Sequence, residues 1–151
     1  MILISNQSAV GRGLLRDVDL EDITQRMWKA LELDGAQLSA AYFCPHRPDE
    51  KCNCRKPQPG LLKQAAADFG IDLARSVLIG DSDADVKGAQ AVGCHPVLFG
   101  PGHTACSDSL QWMKEVPMAH TAKDLFHVTV AILQKANPAP LSADIVSHRI
   151  S

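Results

Sequence analysis

Cys44, His46, Cys52 and Cys54 fall within the span 44–54, and the chain runs from the last of them straight into Arg55, Lys56 and Pro57. Thiolate and imidazole groups at such short spacing suit a tetrahedral zinc ion. Four protein ligands fill that tetrahedron, which marks a structural site and not a catalytic one. A metal held there gives the loop one shape whatever the rest of the chain does, and it fixes the exit of the loop, where two cations stand side by side. Fixing Arg55 and Lys56 makes sense if they must meet an anion with little freedom, because both side chains otherwise carry high rotamer entropy.

Composition narrows what that anion is. The chain has 151 residues, enough for one domain with a buried core, and a formal charge of −2. No run of lysine and arginine exceeds Arg55-Lys56, so the electrostatic footprint of a nucleic-acid binder is missing and a small-molecule partner is expected. No apolar stretch approaches the roughly 18 residues of a membrane span, and Met1 to Ser5 lack the basic flank and length of a signal peptide. The expected setting is the cytoplasm, with no membrane partner. Three of the five cysteines lie in the loop while Cys94 and Cys106 stand apart, a metal pattern rather than a disulfide framework.

Short apolar runs alternate with helical patterns along the chain. Ile2-Leu3-Ile4 is a strand candidate that ends at Ser5-Asn6-Gln7. Asp19 is a cap candidate for a helix running to about Leu33, with Ile23, Met27 and Leu31 buried and Asp34-Gly35 as its stop. Leu38 to Phe43 is a second strand that delivers Cys44. Pro59 opens a helix from about Gly60 to Phe69, closed by Gly70. Val77 to Ile79 is a third strand, and Asp83 begins a helix through Ala91. Pro96 to Phe99 is a fourth strand, Leu110 to Lys114 a short helix, and Ala122 to Lys135 an amphipathic closing helix. One domain over residues 1–135 and a loosely attached tail over 136–151 are expected. Trp28 and Trp112 read as packing residues.

Strands alternating with helices imply an α/β fold built on a parallel sheet, whose ligands bind beyond the carboxyl ends of the strands. That rule gathers three polar groups on one rim: Ser5, Asn6 and Gln7 after the first strand, Cys44 to Lys56 after the second, and Gly80, Asp81, Asp83 and Asp85 after the third. Carboxylates suit a hard cation such as magnesium, and lysine with arginine suits phosphate oxygens. Phosphoryl chemistry follows.

These motifs resemble those of the haloacid dehalogenase (HAD) superfamily, and within it the branch of heptose bisphosphate and histidinol-phosphate phosphatases. The resemblance runs from Met1 to about Lys135. Ile2 to Ser8, continuing to Arg12-Gly13, looks like the family's second motif. Cys44-Pro45-His46 with Cys52-Asn53-Cys54-Arg55-Lys56-Pro57 is similar to its zinc loop and third-motif lysine, and Gly80-Asp81-Ser82-Asp83-Ala84-Asp85 to its fourth motif. The resemblance implies a Rossmann-like parallel sheet with helices on both faces and two metals, structural zinc and catalytic magnesium. It implies that Ser5 and Lys56 hold the transferring phosphoryl group, that Asn6 and Arg55 orient substrate, and that Asp81 binds magnesium with Asp85 a candidate to orient it. Asn6-Gln7-Ser8 with Arg12-Gly13 leans toward the heptose branch, with histidinol phosphate as the alternative substrate.

Members of that family also carry an opening strand with an Asp-x-Asp pair, whose first carboxylate attacks phosphorus and whose second acts as acid and base. No such strand opens this sequence. Asp17-Val18-Asp19 has the letters but precedes a helix, and Asp81 and Asp83 already match the fourth motif. The expectation is a fold lacking its first strand and helix, with two unpaired strand edges at the gap. The nucleophile would then come from outside these residues, for instance from a separate N-terminal fragment. A shortened reading frame, a split gene and a deliberately shortened chain all remain open as origins. The contrasting reading is a noncatalytic zinc-bound module that binds a phosphorylated ligand or a protein partner.

Overall fold

The computed structural model describes residues 1–98, together with Leu125 and Thr129. The strand β1, Ile2–Asn6, lies parallel to β2, Ala40–Cys44, in a register that sets Ile2 opposite Ala40 and Asn6 opposite Cys44. Parallel neighbours need a long crossover, and here it contains α1, Ser8–Gly11, and α2, Asp17–Leu33.

The helix α2 starts earlier than expected. Arg16 is its N-cap, and Asp19, at the third helical position, accepts from the Arg16 backbone N–H at 3.2 Å and from its Nε at 2.7 Å. A carboxylate reaching back from that position satisfies a donor that the helix leaves orphaned. Asp17-Val18-Asp19 therefore forms the first helical turn, with Asp17 and Val18 exposed and Asp19 half-buried. The expected burial along this helix is also corrected: no residue of α2 is buried, and Ile23 is 53% exposed. Met27 and Leu31 are half-buried, so the neighbouring elements cover only part of the apolar stripe. Trp28, expected as a packing residue, is 41% exposed.

The helix α3, Gly60–Phe69, buries Leu61, Leu62 and Ala65 and packs on β1 and β2; it ends at Gly70, whose φ of 64° is the left-handed value a glycine cap supplies. The strand β3, Val77–Gly80, is followed by α4, Asp83–Gln90, and by β4, His95–Leu98. Asp83 begins α4 as expected, with Ser82 as its N-cap. Residues 1–78 and 82–96 form one compact unit, and residues 79–81 and 97–98 belong to a second.

The strands pair as two two-stranded sheets, β1 with β2 and β3 with β4. Among the described residues no ladder joins β1 to β3, the place where a gap is expected from the sequence. A cavity of about 390 Å³ is lined by Ile2 and Ile4 of β1, by Leu62 and Phe69 of α3, and by Val77 and Leu78 of β3. The expected helices at 110–114 and 122–135, Trp112, and the boundary and tail beyond residue 135 fall outside the described residues, save that Leu125 and Thr129 are helical. No helix among the described residues is long and apolar enough to cross a membrane.

Candidate functional site

The β1–β2 register builds the site. Because Asn6 stands opposite Cys44, the polar end of β1 meets the first metal-type ligand, and the Gln7 N–H extends the contact by donating to the Cys44 carbonyl at 2.7 Å. The four ligand atoms of Cys44, His46, Cys52 and Cys54 lie within 4.8 Å of one another. The Sγ of Cys54 is 3.2 Å from that of Cys44 and 3.4 Å from that of Cys52, and His46 Nδ1 is 3.2 Å from Cys54 Sγ. A tetrahedron with metal–sulfur bonds of about 2.3 Å has edges of roughly 3.7 Å, so the cluster has the size and donor set to close around one ion with a small expansion. Burial, with the neighbouring Cys54 thiol, pushes the Cys44 thiol up to about 12. At Cys52 burial acts upward too, but hydrogen bonds from Cys54, the Arg55 backbone and Cys44 outweigh it and bring the thiol down to about 7. Three sulfurs this close cannot all ionise without a cation between them, which is the chemistry a thiophilic metal supplies.

Two glycines let the loop approach its neighbours. A Cβ on Gly60 would lie 2.3 Å from the Asn53 carbonyl, to which the Gly60 N–H donates at 2.9 Å; a Cβ on Gly11 would lie 2.6 Å from the Pro45 carbonyl, which the Gly11 N–H meets at 3.0 Å. The loop is thus held against α3 on one side and α1 on the other. Arg55 closes it, its Nη1 donating to the His46 carbonyl at 3.2 Å.

Lys56 leaves the loop through a cis bond to Pro57 and turns toward β1. Its Nζ donates to the Ile4 carbonyl at 2.7 Å and pairs with Asp85 Oδ1 at 2.5 Å; the two side chains are only 11% and 8% exposed. The other Asp85 oxygen accepts from the Ser82 N–H at 3.1 Å and the Ser82 hydroxyl at 2.5 Å. Burial works against the Asp85 charge, but the bonds from Lys56 and Ser82 outweigh it and hold the carboxyl below its ordinary range. Both oxygens of Asp85 are therefore committed within the protein. Ser5, one residue past Ile4, accepts from Gln7 Nε2 at 3.0 Å. Asn6 spends its side-chain amide on Lys56: Nδ2 donates to the Lys56 carbonyl and Oδ1 accepts from the Lys56 N–H, each at 3.0 Å. Asp81 is exposed, directly after β3.

Lys51, Cys52, Arg55, Lys56, Pro57 and Gln58 line a cavity of about 410 Å³ together with Pro48. Sequence reasoning missed Lys51. It holds a left-handed φ of 49°, the only positive value at a non-glycine among the described residues, and has no ion pair among them. Its place beside Cys52 is the available signal, since a residue next to a fixed ligand is itself fixed. Three basic residues along one cavity, with Lys56 paired to Asp85, are a donor set that suits an anion with several oxygens.

Residues 53–127 match the family described as HAD-hydrolase-like. The D-glycero-β-D-manno-heptose-1,7-bisphosphate 7-phosphatase of Pseudomonas aeruginosa is 39% identical over 98 residues, 65% of this chain and 55% of that protein. The crystal structure of D,D-heptose 1,7-bisphosphate phosphatase from Bordetella bronchiseptica, complexed with magnesium and phosphate, aligns at 40% identity with a TM-score of 0.63 over 65% of this chain and 55% of that one. A Mesorhizobium loti structure at 23% identity and a TM-score of 0.58 covers 82% of this chain and 68% of its own, and shows likeness of fold alone. Over these residues the chain is similar to the HAD-like hydrolases. It spans about half the length of the curated relatives it matches.

Proposed function

We propose that this chain forms the phosphate-binding and metal-stapled part of a phosphatase acting on a small sugar phosphate of the D-glycero-D-manno-heptose 1,7-bisphosphate type. The observation that carries the reading is the fixed ammonium of Lys56, held by Asp85 and by the carbonyl of Ile4, one residue before Ser5, on a residue that also lines a cavity with Arg55 and Lys51. Charge that is preorganised in this way lowers the cost of a transferring phosphoryl group, which is the main task in phosphoryl transfer. On this reading Ser5 and Lys56 hold the phosphoryl oxygens and Arg55 orients the rest of the sugar phosphate.

Zinc fits the Cys44, His46, Cys52 and Cys54 cluster and would fix the loop. Asp81 is the carboxylate at the β3 end that keeps its oxygens free of an ion pair among the described residues, and it is assigned to magnesium. Magnesium, when bound, would neutralise phosphoryl oxygens. The candidate carboxylates of the described residues are otherwise engaged on this reading: Asp17 and Asp19 sit in the first turn of α2, where Asp19 is bound to Arg16, Asp83 on the exposed start of α4, and Asp85 is paired with Lys56. The acceptor aspartate is therefore assigned to an extended segment outside these 151 residues, seated along the edge of β1 that has no ladder partner among the described residues.

The test is turnover of heptose bisphosphate and of histidinol phosphate with magnesium, before and after a strand segment ending in Asp-x-Asp is joined or supplied in trans. Negligible hydrolysis without the segment and preferential hydrolysis of heptose bisphosphate with it are expected. Robust turnover by the 151 residues alone would sink the external acceptor, and silence on both substrates after restoration would favour a noncatalytic binding module.

A further inference from the structure

We infer that Asn6 is a positioning residue that acts through Lys56, and that it is not a ligand of the substrate. The inference rests on the phosphate-binding role just proposed for Lys56. An asparagine side chain offers one carbonyl and one NH₂ group. Here the carbonyl takes the Lys56 N–H and the NH₂ gives to the Lys56 carbonyl, a reciprocal pair at 3.0 Å each. The two residues are fifty positions apart, so this pair spans the whole crossover and the metal loop. It ties the end of β1 to the one residue whose ammonium returns to β1 at Ile4. Lys56 is thus gripped at both ends, its backbone by Asn6 and its head group by Ile4 and Asp85. The metal ligands end at Cys54, two residues earlier, so no ligand bond is made by Lys56 itself. Asn6 holds its backbone directly.

The geometry also accounts for why this amide stands opposite Cys44 in the strand register. From that position a side chain of asparagine length reaches the loop exit, while Ser5, one residue earlier, alternates to the other face of the strand. An aspartate could accept from the Lys56 N–H but could not donate to its carbonyl, so the reciprocal pair requires an amide.

The test is a double-mutant cycle on the zinc-loaded 151-residue chain, titrated with orthophosphate and followed by calorimetry, using Asn6→Ala, Lys56→Ala and the double variant. Main-chain groups of residue 56 remain in Lys56→Ala, so Asn6 keeps its contact in that background. Asn6→Ala is expected to weaken phosphate binding about tenfold, the size of one or two lost hydrogen bonds, with zinc content unchanged. The double variant is expected to bind no more weakly than Lys56→Ala alone. Additive losses would mean that Asn6 meets the anion directly and would overturn the inference, as would unchanged affinity in Asn6→Ala. Where Asn6→Ala loses zinc, Asn6→Asp, which keeps the acceptor for the Lys56 N–H, takes its place in the cycle; non-additive losses again support the inference and additive losses overturn it. Wild-type chain that binds no orthophosphate would instead overturn the anion site itself, and this inference with it.

Discussion

Asp85 shows how one residue is asked to do two jobs. Its sequence position beside the fourth-motif glycine and aspartate offers it as a group that orients magnesium, yet one oxygen neutralises Lys56 and the other caps α4 through Ser82. Breaking a buried ion pair from one side leaves an uncompensated charge, and this pair is nearly enclosed. Asp85→Asn is therefore expected to destabilise the chain by about 3 kcal/mol at neutral pH, read by urea unfolding. The pH dependence has a definite sign. The folded carboxyl lies below its ordinary value, so its contribution is complete above the unfolded value of about 4 and fades as pH falls through the folded one. The gap between wild type and Asp85→Asn should close below about pH 4 for that reason. A gap that stayed constant down to acid pH would show that the mutation acts through packing, not charge.

At the scale of elements, the loop 44–60 behaves as one part with two fastenings: a ligand cluster in its middle and close backbone contacts at its ends. Metal binding to such a loop is folding free energy. Chelation, or Cys52→Ser combined with Cys54→Ser, is expected to lower the thermal midpoint by about 10 °C or more and to abolish stoichiometric zinc in metal analysis. A chain that purified without zinc from zinc-containing medium, at full stability, would end the structural-zinc reading. This loop is the most legible part of the sequence because ligand type and spacing are local properties, and the four residues do converge. The strands and α3 are legible too, from short apolar runs and from Gly70. What the sequence hides is set by side-chain geometry. Asp19 looks like a helix cap, yet the cap is Arg16, because several polar groups near a helix start compete and only the backbone decides among them. The Asn6 contact is hidden too, since nothing in a linear sequence tells that an amide closes on a backbone fifty residues away. Lys51 goes unnoticed because a left-handed turn at a lysine leaves no compositional mark.

On the scale of the whole molecule, the described strands form two pairs, and among the described residues each of β1 and β3 has one edge without a ladder partner. Unpaired edges flanking apolar surface are a template for another strand. The cavity beside them is walled by Ile2, Ile4, Leu62, Phe69, Val77 and Leu78, with Met1 75% and Val77 43% exposed, so apolar side chains as well as backbone groups await cover. An extended segment with alternating apolar residues would satisfy both, and its polar end would emerge beside Ser5 and Lys56, where the proposed chemistry needs a carboxylate. Such a segment binds the folded chain and not the unfolded one, which stabilises the fold by mass action. Hydrogen exchange measured residue by residue should therefore slow at Ile2 to Ser5 and at Val77 and Leu78 when the Asp-x-Asp segment is supplied. The slowing should approach 100-fold at about 100 times the dissociation constant. Exchange on Tyr42 and Phe43 of β2, which already pairs with β1, should change less. Restored hydrolysis without protection of β1 and β3 would mean that the acceptor enters from elsewhere and that these edges have a different occupant.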